Sequence, residues 1–347
     1  MKVVEIMNYT AEMAKITKGQ FSPVYLFLGT ESYLADSAKQ TLIQATLAED
    51  ERDLNFGIYD MEEVPVGVAL DDAESVPFFG DKRLVIMDRP NFFTAEKSKQ
   101  KIDHDLVWLE NYLKNPPDFT ILAFFAPYEK LDERKKITKL LKKTATVIEV
   151  NTLSEKEVRH FLKDTIANEA YTMTPEAFEL FIQLTDAKLS TAMSELPKLL
   201  LFSSDTKQIT KSAVNDLVAK SLEQNIFALV EYVLKRQTAN ALSLYQDLLL
   251  QKEDPIKINA ILMTQFRLLL QVKFLEKKGY QQGDSAGMLK VHPYRVKLAI
   301  QQARKFSEKV LVSAFEGLVD AEYRLKTGQG DKEMQFELFV LQFAAVK

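Results

Sequence analysis

Short, almost wholly apolar runs punctuate the first 150 residues. Val24-Tyr25-Leu26-Phe27-Leu28 is followed by Gly29, and Arg83-Leu84-Val85-Ile86-Met87 ends at Asp88. Thr120 to Phe125 ends at Ala126-Pro127, Thr146 to Val150 is a fourth run, and Asn55 to Tyr59 is a weaker fifth. A run of roughly four to eight residues that is apolar at successive positions predicts a strand buried on both faces. Helical stretches between such runs predict parallel strands with helices on both sides of the sheet. The polar stretch from Asn91 to Asp103 reads as a surface loop or a helix start.

Past about residue 150 the period changes. Ser154-x-x-Glu157 is a capping box ahead of Val158, Phe161, Leu162 and Ile166. Thr174-Pro175 places a cap and a first-turn proline before Ala177, Phe178, Phe181 and Leu184. Leu189, Met193, Leu196 and Leu200 continue at helical spacing, with Pro197 expected to kink or shorten that helix. From about residue 221, Ile226, Leu229, Val230 and Val233 open a series of longer amphipathic stripes. Gly279 to Gly287 reads as a turn between them. No internal repeat is evident. The pattern predicts an α/β domain over 1–150, a small helical domain over 151–220 and a helical bundle over 221–347.

Composition narrows the function classes. Hydrophobic residues make up 46% and charged residues 27% of the 347, ordinary values for a folded chain. The absence of cysteine excludes a disulfide framework, thiolate metal sites and a cysteine nucleophile. The opening Met1 to Gln20 shows no signal peptide. No uninterrupted apolar run approaches the roughly 18 to 20 residues that span a bilayer. A cytoplasmic location and no membrane partner are the expectation. A net charge of −4 makes the whole chain a poor electrostatic partner for nucleic acid, so any DNA contact requires a local basic surface or other subunits.

The turn after Val24–Leu28 is where a nucleotide-binding protein would carry its phosphate loop. That loop needs several glycines, so that backbone N–H groups cradle phosphate, and a lysine before Ser or Thr. Gly29-Thr30-Glu31-Ser32-Tyr33-Leu34-Ala35-Asp36 offers one glycine, no lysine and two acids. Asp88 reads as an ordinary strand-end aspartate. His104, His160 and His292 are far apart and lack metal-ligand spacing. No Gly-x-Ser-x-Gly elbow is present. The expectation is therefore no catalytic residue, no cofactor and no metal.

Two other features stand out. Val76-Pro77-Phe78-Phe79-Gly80-Asp81-Lys82-Arg83 sets adjacent phenylalanines between proline and glycine, directly before a strand. Either both pack in the core or they form a knob presented to a partner. Lys290, Arg295, Lys297, Arg304 and Lys305 are either a solvated helix face or a DNA-facing surface.

These stretches carry a resemblance. Phe21 to Glu31, Pro77 to Val85, Asn225 to Val230, His292 to Lys297 with Ala303 to Ser307, and Asp320 with Leu325 to Gly328 resemble, in order, segments of the bacterial DNA polymerase III delta subunit family. The resemblance implies an AAA+-like N-terminal domain with a parallel sheet, a small helical lid and a C-terminal helical collar for loader oligomerisation. It implies a clamp-loader subunit that binds and opens the beta sliding clamp without hydrolysing ATP itself, within a DNA-directed DNA polymerase holoenzyme. The implied partners are the beta clamp, the gamma/tau and delta-prime subunits, and primed DNA through the assembled loader. By position, the clamp contact falls on Phe78 and Phe79, with Val76 and Pro77 flanking; Phe78 stands where some relatives carry leucine. The alternatives are an active AAA+ ATPase, opposed by the missing lysine and glycines, and a helical adaptor unrelated to replication.

Overall fold

The computed structural model describes residues 2–78, 80–95 and 102–345, with the backbone alone for residues 2–7. The chain divides into two compact units, Met1–Leu153 and Ser154–Lys347. The boundary suggested near residue 220 lies inside the second.

The first unit runs α1 (Lys2–Thr17), β1 (Val24–Leu28), α2 (Ser32–Thr46), α3 (Arg52–Asn55), β2 (Phe56–Asp60), α4 (Val66–Glu74), β3 (Arg83–Asp88), α5 (Leu106–Lys114), β4 (Thr120–Ala126), α6 (Lys136–Thr144) and β5 (Thr146–Glu149). All five strands are parallel, in the order β2-β3-β4-β1-β5. The three inner strands are the ones whose sequence is apolar at successive positions. Alternate side chains explain why. Val24, Leu26, Val85, Met87, Leu122 and Phe124 pack with α4, α5 and α6 in one core layer. Tyr25, Phe27, Leu84, Ile86, Ala123 and Phe125 are also buried, through the opposite face of the pleat. On that side the Tyr9 hydroxyl donates to the Leu34 carbonyl at 3.0 Å, joining α1 to α2.

The Asn91–Asp103 stretch departs from its surface-loop reading at its start. A 3₁₀ turn over Asn91–Phe93 buries Phe92 and Phe93, and Phe93 meets Phe124 edge-on at 5.4 Å. Two aromatic side chains outweigh the polar residues around them, which the run of sequence hides.

The second unit is almost all helix. It begins with α7 (Glu155–Asn168), α8 (Pro175–Leu184), α9 (Leu189–Phe202) and α10 (Lys211–Leu217). Two-residue parallel strands, β6 (Thr172–Met173) and β7 (Gln208–Ile209), pair between them. Ser154 and Glu157 form the expected capping box, and the Thr174 hydroxyl accepts from the Ala177 amide. The unit continues with α11 (Leu222–Leu234), α12 (Thr238–Leu250), α13 (Pro255–Lys277), α14 (Gln282–Leu289), α15 (Pro293–Arg304), α16 (Glu308–Thr327) and α17 (Lys332–Ala345), which enclose one apolar cluster.

Two local expectations change here. Pro197 does not shorten α9, which continues to Phe202, with Leu196 and Leu199 on either side buried in the core. Packing of those two outweighs one lost backbone hydrogen bond. Most of the Gly279–Gly287 turn is instead the helix α14, nucleated on the buried Ser285 and Ala286. Among the described residues, α13 is long and apolar enough to cross a membrane by length and composition, although charged residues break its apolar string. Ile258, Leu262, Phe266 and Leu269 on it are buried in the core of the unit, and a core helix passes the same test.

The fold is an α/β domain with a parallel sheet followed by an all-α region, the class anticipated above. Because Phe124 is fully buried and ringed by this core, Phe124→Ala should destabilise the first unit by about 3–5 kcal/mol. Urea unfolding followed by tryptophan fluorescence of Trp108, in the adjacent helix α5, measures it.

Candidate functional site

Two places in the first unit hold candidate sites. One is the crevice beyond the C-terminal ends of β1 and β4, where open parallel sheets place their ligands. It is a cleft of about 360 Å³ lined by Gly29, Glu31, Asp36, Lys39, Asp88 and Pro127, among others. Two of its backbone donors are used within the chain. The Gly29 amide donates to the Ala126 carbonyl at 3.1 Å, and the Glu31 amide to the Val150 carbonyl at 2.9 Å. Glu31 is the N-cap of α2 and accepts from the Tyr33 amide at 3.4 Å. Its carboxylate thus stands at the helix end where a phosphate would sit.

Gly29 itself is explained by the chain, not by a ligand. It lies at φ +145°, and a Cβ there would collide with the backbone of Val150. The missing side chain serves the close crossing of two strand ends. Asp88 pairs with Lys39 at 2.7 Å, and the Lys39 ammonium lies over the Phe125 ring at 4.8 Å. No group of three or more His, Cys, Asp or Glu able to hold a metal occurs among the described residues.

The three histidines have structural roles. His104 Nδ1 accepts from the Val66 amide at 3.1 Å, and burial lowers its pKa. His292 caps α15 by accepting from the Tyr294 amide at 3.4 Å. His160 lies 3.3 Å from Asp164. Three of the five residues of the basic set have acidic partners. Lys297 pairs with Glu155 at 2.8 Å, Arg304 with Glu276 at 2.6 Å, and Lys305 with Glu231 at 3.3 Å.

The other place is the loop between α4 and β3. Helix α4 ends at Glu74, and Ser75 leaves it in extended conformation. Val76 is 72% exposed and Phe78 is 69% exposed, while Pro77 is half-buried. Phe79 lies outside the described residues. Of the two readings of this segment, packing in the core is thus excluded for Phe78.

The loop is exposed but fixed. The Phe78 amide donates to the side-chain carbonyl of Asn55 at 2.8 Å, and Asn55 is fully buried at the end of α3. Below it lies the buried guanidinium of Arg83, the first residue of β3. It forms an ion pair with Asp72 of α4 and donates to the carbonyls of Leu54 at 3.3 Å and Val76 at 3.4 Å. The Tyr59 hydroxyl donates to the other Asp72 oxygen at 3.0 Å. Burial, then the charge of Asp72, raises the Tyr59 pKa, so the phenol remains a donor. Gly80 turns the chain at φ +75°, where a Cβ would collide with the Glu51 carboxylate. A large apolar side chain is therefore held outward by a hydrogen-bonded base. Such an arrangement can anchor a protein partner and offers no chemistry.

The comparisons with known proteins decide the family. Residues 25–151 match the family described as DNA polymerase III, delta subunit, and residues 223–343 match its C-terminal domain. The chain belongs to the DNA polymerase III delta subunit family. It is 44% identical, over 94% of both chains, to the DNA polymerase III subunit delta of Bacillus subtilis (strain 168). A probable DNA polymerase III subunit delta of Aquifex aeolicus is 22% identical over 57% of each. Among solved structures, the Bacillus subtilis DNA clamp loader delta protein matches with a TM-score of 0.74 at 42% identity, covering 97% of this chain and 99% of that one. Membership in the family implies a role in the DNA polymerase III clamp loader complex.

Sequence reasoning reached the exposed apolar loop but missed its base. Nothing in the sequence ties Asn55, Asp72 and Arg83 to one another, and only the folded geometry brings them together. With the Gly29 and Glu31 amides donating within the chain and the Glu31 carboxylate at the helix end, calorimetry with ATP at up to about millimolar concentration should give no saturable heat for the isolated chain. A micromolar isotherm abolished by substitutions in Gly29–Ser32 would contradict this.

Proposed function

We propose that this chain is the clamp-engaging member of its loader: it binds the beta sliding clamp through the α4–β3 loop and opens the ring for loading onto primed DNA. The observation that carries the reading is the outward Phe78 side chain on a hydrogen-bonded turn, in a chain of this family. Phe78 and Phe79 are the anchors, with Val76 and Pro77 flanking them. The anchors enter an apolar pocket on the clamp. A turn held by Asn55 and Arg83 loses little freedom on docking, so most of the burial contributes to affinity. Ring opening follows if the docked segment fits the open interface better than the closed one, since only differential affinity shifts that equilibrium. The chain does not hydrolyse ATP in this scheme. ATP dependence enters through other loader subunits, which govern access to the loop.

Residues 1–150 then form the clamp-binding domain, 151–220 the lid and 221–347 the collar. The collar joins the gamma/tau and delta-prime subunits. Its support is an outer apolar stripe on the last two helices: Val319 and Tyr323 on α16, and Met334, Leu338 and Leu341 on α17, are all exposed. Their spacing of three, four or seven residues puts each set on one helix face.

Burying one phenylalanine contributes roughly 1.5–3 kcal/mol. Phe78→Ala/Phe79→Ala should therefore weaken clamp binding on the order of a hundredfold or more, measured by calorimetry, with an unchanged melting temperature. Undiminished affinity in the folded variant would refute the anchor assignment.

For the collar, Tyr323→Ala/Leu341→Ala should lower the yield of loader reconstituted with gamma/tau and delta-prime subunits, read by size-exclusion chromatography, and leave clamp affinity as it was. Full incorporation of that variant would remove the stripe from the assembly surface.

A further inference from the structure

Charge is distributed very unevenly around the Phe78 loop. Between Glu49 and Asp81 the chain carries eleven acidic residues against a single arginine and no lysine, a net charge of −10. The whole chain is only −4, so everything outside those 33 residues is net basic. Part of this acid is used internally: Asp72 pairs with Arg83, and Asp60 with Arg89. Glu49, Asp50, Asp53 and Asp81 are exposed. The geometry sets them beside the loop. The Glu51 carboxylate packs against Gly80, which fixes the 3₁₀ turn Glu49–Glu51 next to it. Asp53 lies on α3, two residues before the Asn55 that holds the Phe78 amide. Asp81 belongs to the loop itself. The neighbouring cation Lys82 turns its ammonium to the Asp118 carbonyl at 2.8 Å.

We propose that these four carboxylates form an acidic rim that selects, and steers onto the Phe78 anchor, a protein whose apolar pocket is bordered by lysine and arginine. The inference rests on the clamp-docking reading above and specifies the chemistry of that partner surface. Nucleic acid and anionic lipid are excluded as occupants of this face, because both would bring like charge against it. Apolar burial supplies most of the affinity, while complementary rim charges act mainly on the rate of encounter. They also penalise wrong partners, since an acidic-rimmed pocket would meet like charge at the moment of docking.

The experiment uses the full chain, purified beta sliding clamp, and Glu49→Gln/Asp50→Asn/Asp53→Asn/Asp81→Asn, which leaves Glu51 and the loop base intact. Association and dissociation rates are measured from about 50 to 500 mM salt, a range over which the screening length falls severalfold. The unsubstituted chain should associate about tenfold or more slowly at the high end. The variant should be slow throughout and nearly indifferent to salt, with a dissociation rate within about twofold of the original. Equal rates and equal salt dependence in the two proteins would overturn the rim and leave the Phe78 docking reading standing. Failure of both proteins to bind the clamp at any salt concentration would instead overturn the docking reading, and this inference with it. Sedimentation of the chain alone closes the remaining route: a dimer dispersed by the four substitutions would make a second copy the occupant and refute the proposal.

Discussion

One buried guanidinium organises the functional end of the first unit. Arg83 starts β3, yet its side chain reaches α4 through Asp72, α3 through the Leu54 carbonyl and the exposed loop through the Val76 carbonyl. An arginine buried without partners would be costly, so these acceptors and the charge are mutually required. Tyr59 completes the shell from β2. Gly57, between Phe56 and Ile58, leaves room for the Asp72 carboxylate that a side chain there would displace. Remove the cation and Asp72 loses its charge partner, and the Val76 turn loses a donor.

This base explains how a surface loop can present an apolar side chain without collapsing onto the core. Phenylalanine at a flexible tip would fold back against the nearest apolar surface to escape water. Here the Phe78 amide is fixed by Asn55 on one side, and Gly80 reverses the chain on the other. The exposed ring thus stands on a hydrogen-bonded polar base. The second unit shows the complementary arrangement, with long helices that bury one stripe in a shared core and leave another outward.

Much of the fold was legible because its signals are local. Val24–Leu28, Arg83–Met87 and Thr120–Phe125 are apolar at successive positions, and only strands covered on both faces require that. Caps at Ser154 and Thr174 are short-range chemistry and read directly. What escaped depends on distant partners. Phe92 and Phe93 sit in a polar stretch and are claimed by Phe124 and the helices beside it. Pro197 is overruled by Leu196 and Leu199, and α14 forms where glycines promised a turn. At the candidate site, the adjacent phenylalanines between proline and glycine were visible, whereas Asn55 and Arg83 gave no sign of their role. The acidic rim was present in the sequence throughout, but a whole-chain charge near zero conceals a strongly negative segment balanced by a basic remainder.

The crossing at Gly29 has a consequence for substitution. Nucleotide sites are often pictured as decaying by loss of a few side chains, and hence as recoverable by restoring them. In this chain the Gly29 and Glu31 amides point to the Ala126 and Val150 carbonyls, and the strand end carrying Val150 runs where a Cβ at Gly29 would lie. A lysine or an added glycine would change neither bond. Both bonds follow from the route of the main chain past Val150, not from the identity of any one side chain.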